Sequence, residues 1–274
     1  MKFAICSEMF QGWKIDDVLE YAKRIGYDAV EVAPFTLADS VDDIPEADRR
    51  HLRERAAALG LEIAGIHWVL VSPEGLYINT PDQEVRERTA RYFVSLTHYC
   101  ADIGGKVIVV GSPKQRNVME GATFDQAWKW AADTFRPAVK VAEERGVTIC
   151  FEALAAPGTN FVNTAADAIR FVQQVPSPAF KIILDVKAML SESKPIPEII
   201  RDSAGWFRHF HANDANLKGP GMGDVDFHPI FRALKEVGYE GYVSVEVFDF
   251  SDGPETIASR SLEYMKRVWA AVQS

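Results

Sequence analysis

Cysteine is scarce in this chain, with three in 274 residues: Cys6, Cys100 and Cys150. The number is odd, the spacings are wide and each sits beside apolar neighbours, so neither a disulfide framework nor a cysteine-ligated zinc site is indicated, and all three read as small core residues. Positive charge is also in deficit. Thirty Lys and Arg stand against 39 Asp and Glu, a net charge of −9, and the basic pairs Arg49-Arg50 and Lys266-Arg267 are short and surface-like. Nucleic-acid binding driven by clustered cations is therefore not expected. No apolar run approaches the roughly 20 residues that a spanning helix needs. The opening Met1-Lys2-Phe3-Ala4-Ile5-Cys6 runs straight into strand-like sequence without the apolar region of a secretion signal, so the expectation is a cytoplasmic protein with no membrane role. A glycine-rich phosphate fingerprint is missing too, since Ser7-Glu8-Met9-Phe10-Gln11-Gly12 is not G-x-G-x-x-G.

What is present is a rhythm. Short β-branched or apolar runs alternate with stretches at helical spacing, eight times over. The strand candidates are Phe3–Cys6, Ala29–Ala33, Glu62–Trp68, Lys106–Gly111, Thr148–Ala153, Lys181–Val186, Phe207–Ala212 and Tyr242–Phe248. Helices are predicted over about 16–25, 45–59, 82–103, 124–145, 164–174, 195–203, 228–237 and 255–271. Glycines that stop helices precede several strands, as in Gly26-Tyr27 and Gly146-Val147, and Thr123, Asn163-Thr164 and Thr80-Pro81 mark helix starts. Alternation of this kind implies parallel strands joined by right-handed crossovers. An open doubly wound sheet shares the pattern. Eight units without a linker, a composition shift or a phosphate fingerprint favour one closed (β/α)8 barrel over residues 1–274.

Strand faces alternate in a barrel, so residues i and i+2 share a side. If Ile149, Phe151, Ile182, Leu184, Phe210, Val243, Val245 and Val247 face the helices, then Cys150, Glu152, Ile183, Asp185, His209, His211, Ser244 and Glu246 face inward. Four successive strands thus present Glu152, Asp185, His211 and Glu246 at their carboxyl ends, the face that carries chemistry in this architecture. Three carboxylates confined together repel unless a cation lies among them. One imidazole with three carboxylates is a hard donor set that suits one divalent ion, Mn2+ first with Mg2+ or Co2+ as alternatives, and suits zinc less well.

With these residues in place, the chain resembles the xylose isomerase-like TIM barrel superfamily of sugar isomerases and epimerases, which also includes an endonuclease IV type of DNA-repair enzyme. The resemblance spans essentially the whole chain. It is carried by Phe151-Glu152, Leu184-Asp185, His209-Phe210-His211-Ala212-Asn213-Asp214, Gly221-Met222-Gly223-Asp224-Val225-Asp226-Phe227 and Gly238-Tyr239-Glu240-Gly241-Tyr242-Val243-Ser244-Val245-Glu246. It implies that Glu152, Asp185, His211 and Glu246 hold a single divalent metal and that Glu152 and Glu246, on opposite sides of the substrate carbon, are the catalytic pair that moves protons. It also implies a dimer or tetramer. The DNA-repair branch carries a histidine three residues after the strand-six aspartate and an Asp-x-His pair after strand seven; here Ala188 stands at the first position and residues 215–223 hold neither histidine nor aspartate. Ketose 3-epimerases of the superfamily carry a glutamate, a histidine and an arginine where this chain has Gly158, Ala188 and Leu217, so the substrate contacts are expected elsewhere.

Candidates for those contacts are His67 and Trp68 at the end of strand three, with Ile63 and Gly65 on the face of His67; Glu31, inward on strand two; Trp13, with Glu8, in the first loop; and Lys114, Lys187 and Lys218 in later loops. Glu31 fits either a substrate hydroxyl or a contact behind the ligands, and His209 is read as orienting a ligand. His51, His98 and His228 fall on predicted helices and read as structural or exposed. The function expected is a metal-dependent isomerase or epimerase of a keto-sugar, working through a metal-stabilised enediolate with two glutamates as acid and base. The alternatives are a lyase or dehydratase acting on a 3-keto-sugar, of the kind that cleaves C-glycosides, and a barrel that binds sugar without turning it over.

Overall fold

The computed structural model describes residues 1–274. Its strands are β1 Lys2–Cys6, β2 Ala29–Val32, β3 Glu62–Ile66, β4 Val107–Val110, β5 Thr148–Glu152, β6 Phe180–Asp185, β7 Phe207–Ala212 and β8 Tyr242–Val245. They pair in sequence order, all parallel, and β8 closes on β1. The protein is a (β/α)8 barrel. Its helices are α1 Ile15–Ile25, α2 Glu46–Leu59, α3 Gln83–Asp102, α4 Phe124–Arg145, α5 Ala165–Val172, α6 Val186–Met189, α7 Ile196–Asp202, α8 Phe227–Glu236 and α9 Pro254–Gln273. No helix is long and apolar enough to cross a membrane.

Local chemistry accounts for the boundaries. Thr123 and Gln126 form a reciprocal capping box at the start of α4, and Gly146 ends that helix at φ 67°, a left-handed conformation that a side chain would oppose. Helix α3 begins later than Thr80-Pro81 suggested, because the Asp82 side chain accepts from the amides of Glu84 and Val85. The unpredicted α6 starts directly after β6. Asp185 Oδ1 accepts from the Ala188 amide at 2.7 Å, so a single carboxylate both ends the strand and caps the helix.

Buried side chains separate by strand face, as alternation requires. Ile149, Phe151, Ile182, Leu184, Phe210, Val243 and Val245 belong to the large apolar layer between barrel and helices. Inside the barrel lie Val107, Val109, Cys150 and Ile183 in one cluster, with Ala4, Ala29 and Ala64 in another at the amino end. Cys6, Cys100 and Cys150 are buried and unpaired. Two register shifts modify the pattern. One lies opposite Val30/Glu31, where Ala64 is the extra residue of β3; it breaks the expected sharing of a face by Ile63 and His67, because Ile63 joins the outer layer while Ala64 turns inward. The other, at Ile182/Ile183, leaves Arg208 unpaired and sets His209 beside Ile183 and His211 beside Asp185.

Strands β3 and β8 end sooner than their apolar runs suggested. The chain leaves β3 after Ile66, and Trp68 takes φ 54°, a left-handed conformation unusual for a side chain of its size. Beyond β8, the amides of Phe248 and Asp249 donate to the Leu217 carbonyl, tying the β8 loop to the loop after β7. That loop is itself pinned by the buried Asp214 carboxylate, which accepts from the amides of Ala215, Asp224 and Val225. Close approach demands a glycine at 223, where a Cβ would lie 2.2 Å from Asp214 Oδ1.

Candidate active site

Glu152, Asp185, His211 and Glu246 come together at the carboxyl end of the barrel, each buried, with one ligand atom apiece within 4.8 Å of the others. Glu152 ends β5, Asp185 ends β6, His211 lies near the end of β7 and Glu246 follows β8. Space for the Glu152 carboxylate exists because residue 111 has no side chain: a Cβ there would fall 1.9 Å from Glu152 Oε2.

Each of the other three is oriented by neighbours. Asp185 Oδ2 accepts from Asn213 Nδ2 at 2.6 Å, and Asn213 Oδ1 in turn accepts from the Lys187 amide at 2.8 Å. His211 spans two carboxylates, with Nε2 3.1 Å from Glu31 Oε1 and Nδ1 3.1 Å from Glu246 Oε2. Glu246 Oε1 accepts from the Trp68 indole N–H at 2.9 Å and lies 3.4 Å from His67 Nδ1. His67 Nε2 lies 2.9 Å from Glu8 Oε2.

The electrostatics follow from burial and crowding. Burial, followed by the charges of Asp185 and Glu246, pushes the Glu152 carboxyl up to about 8. Burial and Glu246 likewise push Asp185 up to about 6. For Glu246 the upward push of burial is outweighed by His211 and His67, which hold it below the usual carboxylate range. Burial disfavours charge on His67 and His211 as well, yet the carboxylates around them raise both well above the ordinary imidazole value. Three carboxyls therefore converge and the protein cannot ionise all of them cheaply by itself. A hard divalent cation fits this oxygen-rich donor set and supplies the missing positive charge.

Glu31 does not reach the cavity. It is fully buried beneath the cluster, where Oε2 lies 2.8 Å from His209 Nε2 and Oε1 faces His211, and the two imidazoles overcome burial to hold its carboxyl well below the usual range. Lys114 does not reach it either, because the 3-10 turn Lys114–Arg116 leaves its side chain exposed. Lys187 does line the cavity, with Nζ 3.8 Å from the centre of the Phe248 ring. Lys218 is paired with Asp252. His51 and His228 sit on the surface against Asp16 and Asp226, and His98 is exposed.

Arg116 carries no sequence signal and is among the most buried side chains, at 1% exposure. Its guanidinium donates to the carbonyls of Glu152, Val110 and Ser112 and stacks over Phe151 at 4.5 Å, clamping the ends of β4 and β5. Asn213, which sets Asp185, was visible only as part of the run that follows His211.

Two cavities open at this end of the barrel. The first, about 340 Å3, is lined by Glu152, Asp185 and Glu246 together with Lys187, Trp68, Phe248 and a largely apolar wall that includes Val109, Pro113, Leu154 and Ala188. The second, about 560 Å3, lies beside β1 and β2 and is lined by Ser7, Glu8, Phe10, Trp13, Phe35, Phe250 and others. Trp68 lines both.

A family model described as xylose isomerase-like TIM barrel matches residues 19–268. The chain is 26% identical to a D-psicose 3-epimerase of Ruminiclostridium cellulolyticum over 242 residues, 87% of this chain and 80% of that enzyme. It is 24% identical to a 3-dehydro-D-guloside 4-epimerase of Escherichia coli over 273 residues, 97% of this chain and 99% of the other. The crystal structure of D-psicose 3-epimerase with D-tagatose from Clostridium cellulolyticum H10 superposes with a TM-score of 0.87 at 22% identity, covering 98% of this chain and 99% of that one.

Proposed function

The chain belongs to the xylose isomerase-like TIM barrel family, and from that premise we propose that it is a divalent-metal-dependent isomerase or epimerase of a keto-sugar. The observation that carries this reading is the pair of glutamates flanking one cavity. Glu152 from β5 and Glu246 after β8 reach it from separate arcs of the barrel, with Asp185 and His211 between them. The epimerase relatives support the reaction class.

A divalent cation held by Glu152, Asp185, His211 and Glu246 would stabilise, as a Lewis acid, the negative charge that develops on the substrate oxygens. The side chains account for the proton movements. Glu246 and Glu152 are the acid/base pair: one carboxylate accepts the proton from the carbon beside the carbonyl. The other, arriving from a separate arc of the barrel, returns a proton to the resulting enediolate. Return to the same carbon inverts it; return to the neighbouring carbon isomerises the sugar. Asn213 and Glu31 keep Asp185 and His211 aligned. Trp68 and Lys187 at this cavity, and Trp13 at the neighbouring one, are the side chains assigned to substrate contact in this reading; His67, expected there too, is fully buried, lines neither cavity and instead stands between Glu8 and Glu246.

Mn2+ is the proposed metal, because the donor set is hard. Three buried free cysteines agree with residence in a reducing cytoplasm, and the family resemblance supports a dimer or tetramer. The test is solvent deuterium uptake into ketoses and 3-keto-glycosides by Mn2+-loaded protein, with Glu246→Gln beside it. Exchange without loss of a substituent, abolished in the variant, supports the reading. Loss of water or an aglycone moves the assignment to a lyase, a second reading favoured by Gly158, Ala188 and Leu217 at the positions of the ketose contacts. No exchange with any substrate refutes both.

A further inference from the structure

We propose that the cavity beside β1 and β2 is a second subsite, which binds a neutral hydroxyl-bearing ring joined to the reacting sugar, so that the substrate is a glycoside and Glu8 selects it. This inference rests on the sugar-converting reading above. Its first support is the reaction cavity itself. Beyond the four clustered residues, Lys187 is the one charged side chain lining that space, while Leu154, Pro157, Gly158 and Ala188 form much of its wall. A free ketose would leave hydroxyls along its length unmatched there, a costly arrangement for buried polar groups.

The second support is the unused polarity next door. Glu8 lines the larger cavity at 7% exposure; its Oε2 faces only His67 Nε2, at 2.9 Å, and its Oε1 has no hydrogen-bond partner. A buried carboxylate oxygen without a donor calls for one from a ligand. With one oxygen already facing His67 and the surrounding walls apolar, a single hydroxyl is enough to complete the carboxylate's hydrogen bonding. The walls are aromatic: Phe10, Trp13 and Phe250, with Phe35 at the rim left 37% exposed. Flat apolar walls around a single acceptor suit a ring that presents an apolar face and a hydroxyl edge. Both cavities meet at Trp68, whose indole N–H is committed to Glu246, so a two-ring ligand can span them.

The experiment compares deuterium exchange by Mn2+-loaded protein on four substrates: the methyl, phenyl and 4-hydroxyphenyl 3-dehydro-β-D-glucopyranosides and the 3-dehydro derivative of cellobiose. The quantity read is the kcat/KM of each relative to the methyl glycoside, a ratio in which general damage to the chemistry cancels. A hydroxyl-bearing aglycone should gain about tenfold or more over methyl, and Glu8→Gln should erase most of that gain while leaving the phenyl ratio in place. The better of cellobiose and hydroxyphenyl identifies the ring as sugar or phenol. A ratio near one in the native protein, or one unchanged in Glu8→Gln, overturns the proposal while the epimerase reading stands. If no substrate exchanges, that reading falls, and the subsite is judged by tryptophan-fluorescence titration with cellobiose against methyl glucoside: a preference lost in Glu8→Gln upholds it, and no preference overturns it. Should Glu8→Gln fail to fold, Trp13→Ala, at a half-buried position, must lower the same ratio.

Discussion

Replacing Gly111 by alanine adds a single methyl group, and the structure says where it goes. The new Cβ would lie 1.9 Å from Glu152 Oε2 and 3.1 Å from Glu152 Cδ. Ordinary contact begins near 3.4 Å, so the carboxylate must retreat by roughly 1.5 Å. Gly111 is not in a left-handed conformation, so alanine strains nothing in the backbone. The obstacle is the end of a flexible side chain, and the fold should absorb it at a cost of less than about 1 kcal/mol, or a fall in Tm within about 4 °C for a chain of this size. Catalysis should not absorb it, since a misplacement of about 1 Å at a reacting group costs on the order of 100-fold. Gly111→Ala is therefore expected to melt almost like the native protein, to bind Mn2+ at least tenfold more weakly, and to lose about 100-fold in kcat/KM for deuterium exchange. Full activity with unchanged metal affinity would refute the claim that Glu152 works from the position it holds in this structure.

Other expectations follow from the same geometry. Glu31→Gln removes the anion behind His209 and His211 and should weaken Mn2+ binding by about 10–100-fold, read by competitive titration with a fluorescent chelator. Arg116→Met strands the carbonyls of Val110, Ser112 and Glu152 and should lower stability by about 3 kcal/mol or more in urea unfolding; a change under 1 kcal/mol would show that the clamp is dispensable. Metal-free protein should lose stability as pH rises. Glu152 and Asp185 have raised carboxyls, at about 8 and about 6, so the folded state holds more protons than the unfolded one above pH 4 and its advantage shrinks until about pH 8. A Tm that falls between pH 5 and 8 in EDTA, and stops falling with Mn2+, meets this expectation; a rise in EDTA contradicts it.

Much of the architecture was legible because one physical rule repeats: a parallel strand buried on both sides alternates between two packed environments, so the apolar outward faces of β5 to β8 fixed which residues turn inward. Glu152, Asp185, His211 and Glu246 could be placed together from that alternation alone. Register is less visible, since the shifts at Val30/Glu31 and Ile182/Ile183 depend on pairing between strands that lie far apart in the chain. Trp68 sat within an apolar run that reads as strand, yet its left-handed turn is favoured by a tertiary hydrogen bond to Glu246. Arg116 was harder still, and Glu8, read from the sequence as a first-loop residue near the pocket, gave no sign of its burial. Composition places such side chains on surfaces, and only the assembled barrel reveals the free carbonyls that draw Arg116 inward and the cavity into which Glu8 is folded.

The interior of the barrel divides into an inert lower half and a reactive upper half. Below, Ala4, Ala29 and Ala64 pack together, and Lys2, Glu62 and Tyr242 close the amino end through their own contacts. Above, charge is concentrated where burial is costly. Because the lower packing touches none of the clustered carboxylates, mutations that retune the mouth can be drawn against a reserve of stability held elsewhere. A barrel divided this way can exchange one sugar chemistry for another at its rim while inheriting its foundation unchanged.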